Sequence, residues 1–170
     1  MALHHRKLIY LLGFMGSGKS TVGPLLAQEL GWPFIDLDQV IEAGQGVTIR
    51  EIFEQAGEPF FRQLEQAALT EMARNEPAVI ALGGGTFVQP ANVELVRESG
   101  GIAIWLDCSA NELRRRCEGL TNRPLFQDAE SFTQLLEQRL PYYQRADYRI
   151  STEGQSPEDV VESILHLNLF

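Results

Sequence analysis

The sequence predicts a three-layer α/β/α fold around a five-stranded parallel sheet, on three observations. Apolar runs at residues 8–12, 34–37, 78–82, 102–106 and 148–150 have the length of buried strands, and stretches of helical period separate them. Strands alternating with helices indicate parallel strands joined by crossovers, with both faces of the sheet covered. The run Gly13-Phe14-Met15-Gly16-Ser17-Gly18-Lys19-Ser20 is a complete phosphate-binding loop, G-x-x-x-x-G-K-[ST], lodged between the first apolar run and a helical pattern. The 170 residues, 44% of them hydrophobic, can fill one core, and no repeat or low-complexity linker divides residues 1–170 into more than one domain.

Each element has its own signal. Residues 20–30 form a helix with Val22, Leu25, Leu26 and Leu30 on one face, and Pro24 inside it predicts a local distortion because it removes a backbone donor. Capping boxes mark helix starts at Thr48 with Glu51, Ser109 with Glu112 and Ser131 with Gln134, and a helix carrying Arg62 is expected to begin near Pro59. Ser156-Pro157 opens the last helix with a cap and a first-turn proline.

Composition excludes several functions. A net charge of -9 argues against nonspecific binding to nucleic acid or an anionic membrane, so any basic site must be local. His5-Arg6-Lys7 before an apolar run imitates a secretory signal, but that run passes straight into the phosphate loop and lacks a small-residue cleavage site. No apolar stretch approaches the length of a membrane span. Two cysteines, Cys108 and Cys117, make no disulfide framework or zinc motif and suit a reducing cytoplasm, while His4, His5 and His166 read as solvated.

Ligands of open parallel sheets collect beyond the carboxyl ends of the strands, so the strand endings become site candidates. In the loop, Gly16, Ser17, Gly18, Lys19, Ser20 and Thr21 are expected to wrap nucleotide phosphates, with Lys19 on the β- and γ-phosphates and the Ser20 hydroxyl on Mg²⁺. Asp36 and Asp38 end the second strand; if the chain is still extended there, both carboxylates face the cleft, where one can hold hydrated Mg²⁺ and one the attacking hydroxyl. The competing reading is a turn-forming pair that caps the next helix. Gly83, Gly84 and Gly85 follow the third strand and are either a flexible turn or a wall where a polar substrate meets backbone N–H groups.

Arg62 and Glu65 are three apart, which permits a simple intrahelical ion pair, and Arg139 could be only a favourable charge at a helix end. Meeting over the glycines, the two arginines would instead clamp a carboxylate by planar, bidentate hydrogen bonds. Arg114, Arg115 and Arg116 point in different directions around a helix, and Arg123 sits in a stretch between Gly119 and Pro124 that could act as a lid over a transferring phosphate.

These residues together resemble the shikimate kinase family. The resemblance runs nearly end to end: the loop from Gly13, Asp36-x-Asp38, Gly57-Glu58 leading to Phe61-Arg62-x-x-Glu65, Gly83-Gly84-Gly85, Arg123-Pro124-Leu125, and Arg139-x-Pro141-x-Tyr143 or the adjacent Tyr142. It implies a nucleoside monophosphate kinase-like fold of strand order 2-3-1-4-5, a substrate-binding segment near 39–71, a lid near 117–130, and transfer of the ATP γ-phosphate to the 3-hydroxyl of shikimate. By the same resemblance Lys19, Asp38 and Arg123 are catalytic, and Ser20 and Asp36 hold Mg²⁺. Asp38, Arg62, Gly83, Gly84, Gly85 and Arg139 bind shikimate. Arg116, Arg123, Gln155 and Pro157 flank the nucleotide. ATP, Mg²⁺ and shikimate are the expected small-molecule partners of a cytoplasmic monomer. The alternatives are gluconate kinase or another small-metabolite kinase, a nucleoside monophosphate kinase, and a noncatalytic binding protein, against which intact Lys19, Asp36 and Asp38 argue.

Overall fold

The computed structural model describes residues 7–117 and 129–170. Five strands, β1 (Leu8–Leu12), β2 (Phe34–Asp36), β3 (Ala78–Ala81), β4 (Ile102–Asp107) and β5 (Tyr148–Ser151), form one all-parallel sheet in the order β2-β3-β1-β4-β5. Between and after them run α1 (Lys19–Leu30), α2 (Leu37–Gln45), α3 (Ile49–Met72), α4 (Pro90–Glu98), α5 (Ala110–Cys117), α6 (Ala129–Tyr143) and α7 (Pro157–Leu165).

Strand alternation divides the core. Ile9 and Leu11 of β1 face α1 and α7, packing with Val22, Leu26, Val161 and Ile164, while Leu8, Tyr10 and Leu12 face the opposite layer with Leu37, Phe61, Leu69 and Phe132. Every residue of β1 is buried, as expected of a central strand flanked by β3 and β4. Truncating one of these leucines to alanine would cost about 2–5 kcal/mol, because the packed layers close only partly over the cavity.

Three local expectations change. The second strand stops at Asp36, and Leu37 already begins α2 because the Asp36 carboxylate accepts the Gln39 N–H at 3.2 Å and caps the helix. Ser131 lies inside α6, which starts at Ala129, so no helix begins there. At Ser109 only half of the expected box forms: its Oγ accepts from the Glu112 N–H, but the Glu112 carboxylate turns to Arg115 and Arg116. Glu153, arriving from the far side of β5, accepts from Ser109 N and Oγ instead.

The boxes at Thr48–Glu51 and Ser156–Asp159 are complete. Helix α1 runs unbroken past Pro24. Helix α3 is interrupted at Gly57, whose φ of 84° and ψ of 169° only glycine adopts cheaply, so a second helical stretch starts just before Pro59.

Candidate active site

The ends of β1, β2 and β3 open into one cleft of about 870 Å³, in the size range of small-ligand sites. The phosphate loop forms its floor. Gly18, with φ 105°, turns the chain into α1 so that the first backbone N–H groups of the helix face the cleft. Lys19 Nζ donates to the carbonyls of Gly13 at 2.5 Å and Phe14 at 3.2 Å, which folds the side chain back along its own loop. Ser20 and Thr21 line the cleft and are exposed, whereas the Ser17 hydroxyl is buried beneath the loop with no hydrogen-bond partner.

Asp36 and Asp38 both reach the cleft, though not as neighbours on an extended strand. Asp36 does so as the cap of α2 and Asp38 from its first turn, so one of the pair caps the helix while both line the cleft. Asp38 also approaches the third strand's ending: a Cβ built on Gly83 would lie 2.9 Å from its Oδ1.

The glycines after β3 line the cleft, and charged side-chain ends stand close against them. A Cβ on Gly84 would stand 2.8 Å from Arg139 Nη1, and one on Gly85 would collide with the Arg62 guanidinium. The two arginines therefore do meet over the glycines. Arg62 also makes the intrahelical pair that its spacing suggested, donating to Glu65 Oε1 at 2.9 Å and to Glu58 at 3.2 Å. Pairing and cleft lining coexist, because Glu65 is wholly buried and pulls the guanidinium down onto the wall.

Sequence reasoning treated Glu65 only as a partner in a helix and missed what lies behind it. Its second oxygen accepts from Thr86 Oγ1 at 2.8 Å, and the Thr86 carbonyl accepts from Asn92 of α4. Arg139 is buried, and its guanidinium lies 5.5 Å above the ring of Phe14, a residue of the phosphate loop. Tyr143, buried at 1% exposure, donates to the Gly84 carbonyl at 2.5 Å, whereas Tyr142 packs under Arg145. Burial pushes the Tyr143 phenol up to about 12 against the opposing pull of Arg139, so it remains a protonated donor.

At the other end of the cleft, Arg116 donates to the Gly16 carbonyl at 3.2 Å, to the Thr152 carbonyl at 3.1 Å and to Glu112 at 3.1 Å. It ties the phosphate loop to the turn after β5, where Gly154, Gln155 and Pro157 complete the lining. Hydrogen bonds from Arg115 first, then Arg116, hold the Glu112 carboxyl down to about 2. Cys117 presses on this loop too: a Cβ on Gly16 would come within 2.8 Å of its Sγ. Burial pushes the Cys108 thiol up, against reactivity. Arg123 and nearly all of the expected 117–130 lid lie outside the described residues.

The shikimate kinase family model matches residues 15–168. A shikimate kinase of Persephonella marina is 44% identical over 158 residues, covering 92% of this chain and 96% of the relative. Among solved structures, the shikimate kinase from Acinetobacter baumannii in complex with shikimate is similar with a TM-score of 0.92 at 38% identity, over 99% of this chain and 96% of that one. A gluconokinase from Sinorhizobium meliloti, at 22% identity and a TM-score of 0.65 over 97% of this chain and 96% of that one, shares the fold alone. With nearly its whole length matched by the family model and by close relatives, the chain belongs to the shikimate kinase family.

Proposed function

We propose that this cleft performs the family's reaction, transfer of the ATP γ-phosphate to the 3-hydroxyl of shikimate to give shikimate 3-phosphate, with the following division of labour. The phosphate loop holds the triphosphate through its backbone N–H groups, and Lys19 leaves the Gly13 and Phe14 carbonyls for the β- and γ-phosphate oxygens. Arg62 and Arg139 take the shikimate carboxylate, the glycine wall takes polar edges of the ring, and Asp38 accepts the proton of the attacking hydroxyl or orients it. The observation that carries the reading is the convergence of Arg62 and Arg139 on Gly84 and Gly85 beside a phosphate loop, since a carboxylated alcohol is what two such ends can hold together.

The donor set fits Mg²⁺. Ser20 and Asp36 bring hard oxygen donors to the same cleft, and among the described residues no cluster of three or more His, Cys, Asp or Glu side chains is placed to hold a metal. An ion bound mainly by water and phosphate needs no more than that hydroxyl and that carboxylate. When bound, it would offset negative charge on the β- and γ-phosphates. Arg123 would add positive charge as the phosphoryl group leaves ADP.

No helix among the described residues is long and apolar enough to cross a membrane, which is compatible with action in the cytoplasm. A coupled assay of ADP release tests the reading: shikimate should support turnover, and gluconate and AMP should not. Turnover with gluconate equal to that with shikimate would overturn it.

A further inference from the structure

Tyr143 places its one hydroxyl where the acceptor is held. Its Oη donates to the Gly84 carbonyl at 2.5 Å, and the Arg139 guanidinium, one helical turn earlier on α6, stands beside the same glycine. Ring packing against Trp105, with centroids 5.9 Å apart, keeps the phenol from leaving this position. A trans peptide is planar with its C=O and N–H opposed. Anchoring the Gly84 carbonyl inward on Tyr143 therefore aims the Gly85 N–H away from the core, on a wall that lines the cleft. The same bond presses the glycine strip against Arg139, whose Nη1 would stand 2.8 Å from a Cβ on Gly84.

We propose that Tyr143 is a positioning residue for the acceptor, its single buried hydroxyl setting the Gly84–Gly85 peptide and the Arg139 guanidinium in one mutual geometry. The role is distinct from filling the core, which the ring alone does and a phenylalanine would do as well. It rests on the carboxylate clamp proposed above. Without the hydroxyl, the Gly84 carbonyl loses its donor, and the peptide that stands against Arg139 is released to rotate.

The test is steady-state kinetics of Tyr143→Phe, with Arg139→Ala in parallel and with shikimate compared against its methyl ester. Losing this buried hydrogen bond and leaving the Gly84 carbonyl unsatisfied should raise KM for shikimate roughly 10-fold and leave KM for ATP within about 2-fold. The rise should shrink for the methyl ester, which presents no charge to Arg139. Equal rises for shikimate and ATP would reveal a merely structural role and overturn the proposal. So would an unchanged KM for shikimate in Tyr143→Phe while Arg139→Ala raises it. If Arg139→Ala itself leaves shikimate use intact, the clamp fails and the positioning role with it. Should Tyr143→Phe fold poorly, ¹⁵N-labelled wild-type protein supplies the measurement: the Gly85 amide resonance should move on addition of shikimate, and a resonance that stays put overturns the proposal.

Discussion

The two ends of the cleft are built by opposite means. At the nucleotide end, the phosphate loop forms the floor, and side chains such as Lys19 and Arg116 are tied to its own carbonyls. At the acceptor end, charged side chains from α3 and α6 join the lining, and buried polar groups stand behind them, from Arg62 through Glu65 to Thr86 and from Tyr143 to the Gly84 carbonyl beside Arg139. A backbone site tolerates exchange of most of its side chains. A site made of buried charge does not, since removing one partner strands the other away from water. Errors should therefore be more costly, and more selective for one substrate, at the acceptor end.

The largest effect tests whether the two ends are separable during chemistry. Arg123→Ala should lower kcat by about 10³-fold or more, as arginines supplied to phosphoryl-transfer sites typically contribute that much, with little change in initial ATP binding. Pre-steady-state nucleotide binding alongside turnover checks it, and a near-normal kcat would leave the two ends to act without a bridging charge.

Next come the acceptor residues themselves. Arg62→Ala and Arg139→Ala should each reduce kcat/KM for shikimate by about 10²-fold or more, because truncating a partner in a desolvated charge pair costs about 2–5 kcal/mol. KM for ATP should barely move, and a matching loss for ATP would collapse the distinction between the ends. Asp38→Asn should lose about 10²-fold in kcat with nucleotide affinity retained, on the scale of general-base and orienting effects.

A smaller change is expected where the nucleotide end does depend on charge. Arg116→Ala should raise KM for ATP by about 10-fold, the worth of hydrogen bonds from a charged donor, and leave shikimate binding alone. Its support has a pH signature. The Glu112 carboxyl sits at about 2 in the fold against an ordinary 4.5, so its stabilisation is complete above that ordinary value and disappears as the pH falls toward 2. Urea melts of wild type and Glu112→Gln should differ at pH 7 and converge in that acid window; a gap that persists near pH 2 would locate the effect elsewhere.

The smallest effect separates backbone from side chain within the phosphate loop. Ser17 Oγ is buried without a hydrogen-bond partner, so Ser17→Ala should be neutral or stabilising by up to about 1 kcal/mol, with kinetics unchanged. A large loss of ATP binding would give the hydroxyl a function.

Legibility in the sequence follows the same division. Strands, the phosphate loop, the Thr48–Glu51 capping box and the Ser156 cap were readable because each is local: a period, a motif, or residues a few apart. Asp36 and Asp38 were located correctly but by the wrong route, since strand spacing gave no warning that a cap would start α2 at once. Glu65 lay in plain view beside Arg62, yet its burial depends on Thr86, 21 residues away, and no pattern links the two. Glu153 standing in for Glu112 at Ser109 was equally hidden, because the bond spans 44 residues and the order of β4 and β5 must be known first.

One mid-helix glycine bears on how this enzyme can be engineered. Gly23 stands in α1 just past Lys19 and Ser20, and a Cβ there would run into the ring of Phe34, two residues before Asp36 on β2. Rules that raise thermostability by filling helices with alanine would select this position among the first, because interior glycine costs about 1 kcal/mol relative to alanine. Here the missing methyl is a spacer set to zero thickness between the helix that carries the Ser20 hydroxyl and the strand that ends in the Asp36 carboxylate. Gly23→Ala would gain about 1 kcal/mol of helix propensity and lose about 1–3 kcal/mol to overpacking against Phe34, while widening the gap across which the proposed Mg²⁺ must be shared, so the substitution that propensity rules favour should lower stability and turnover together.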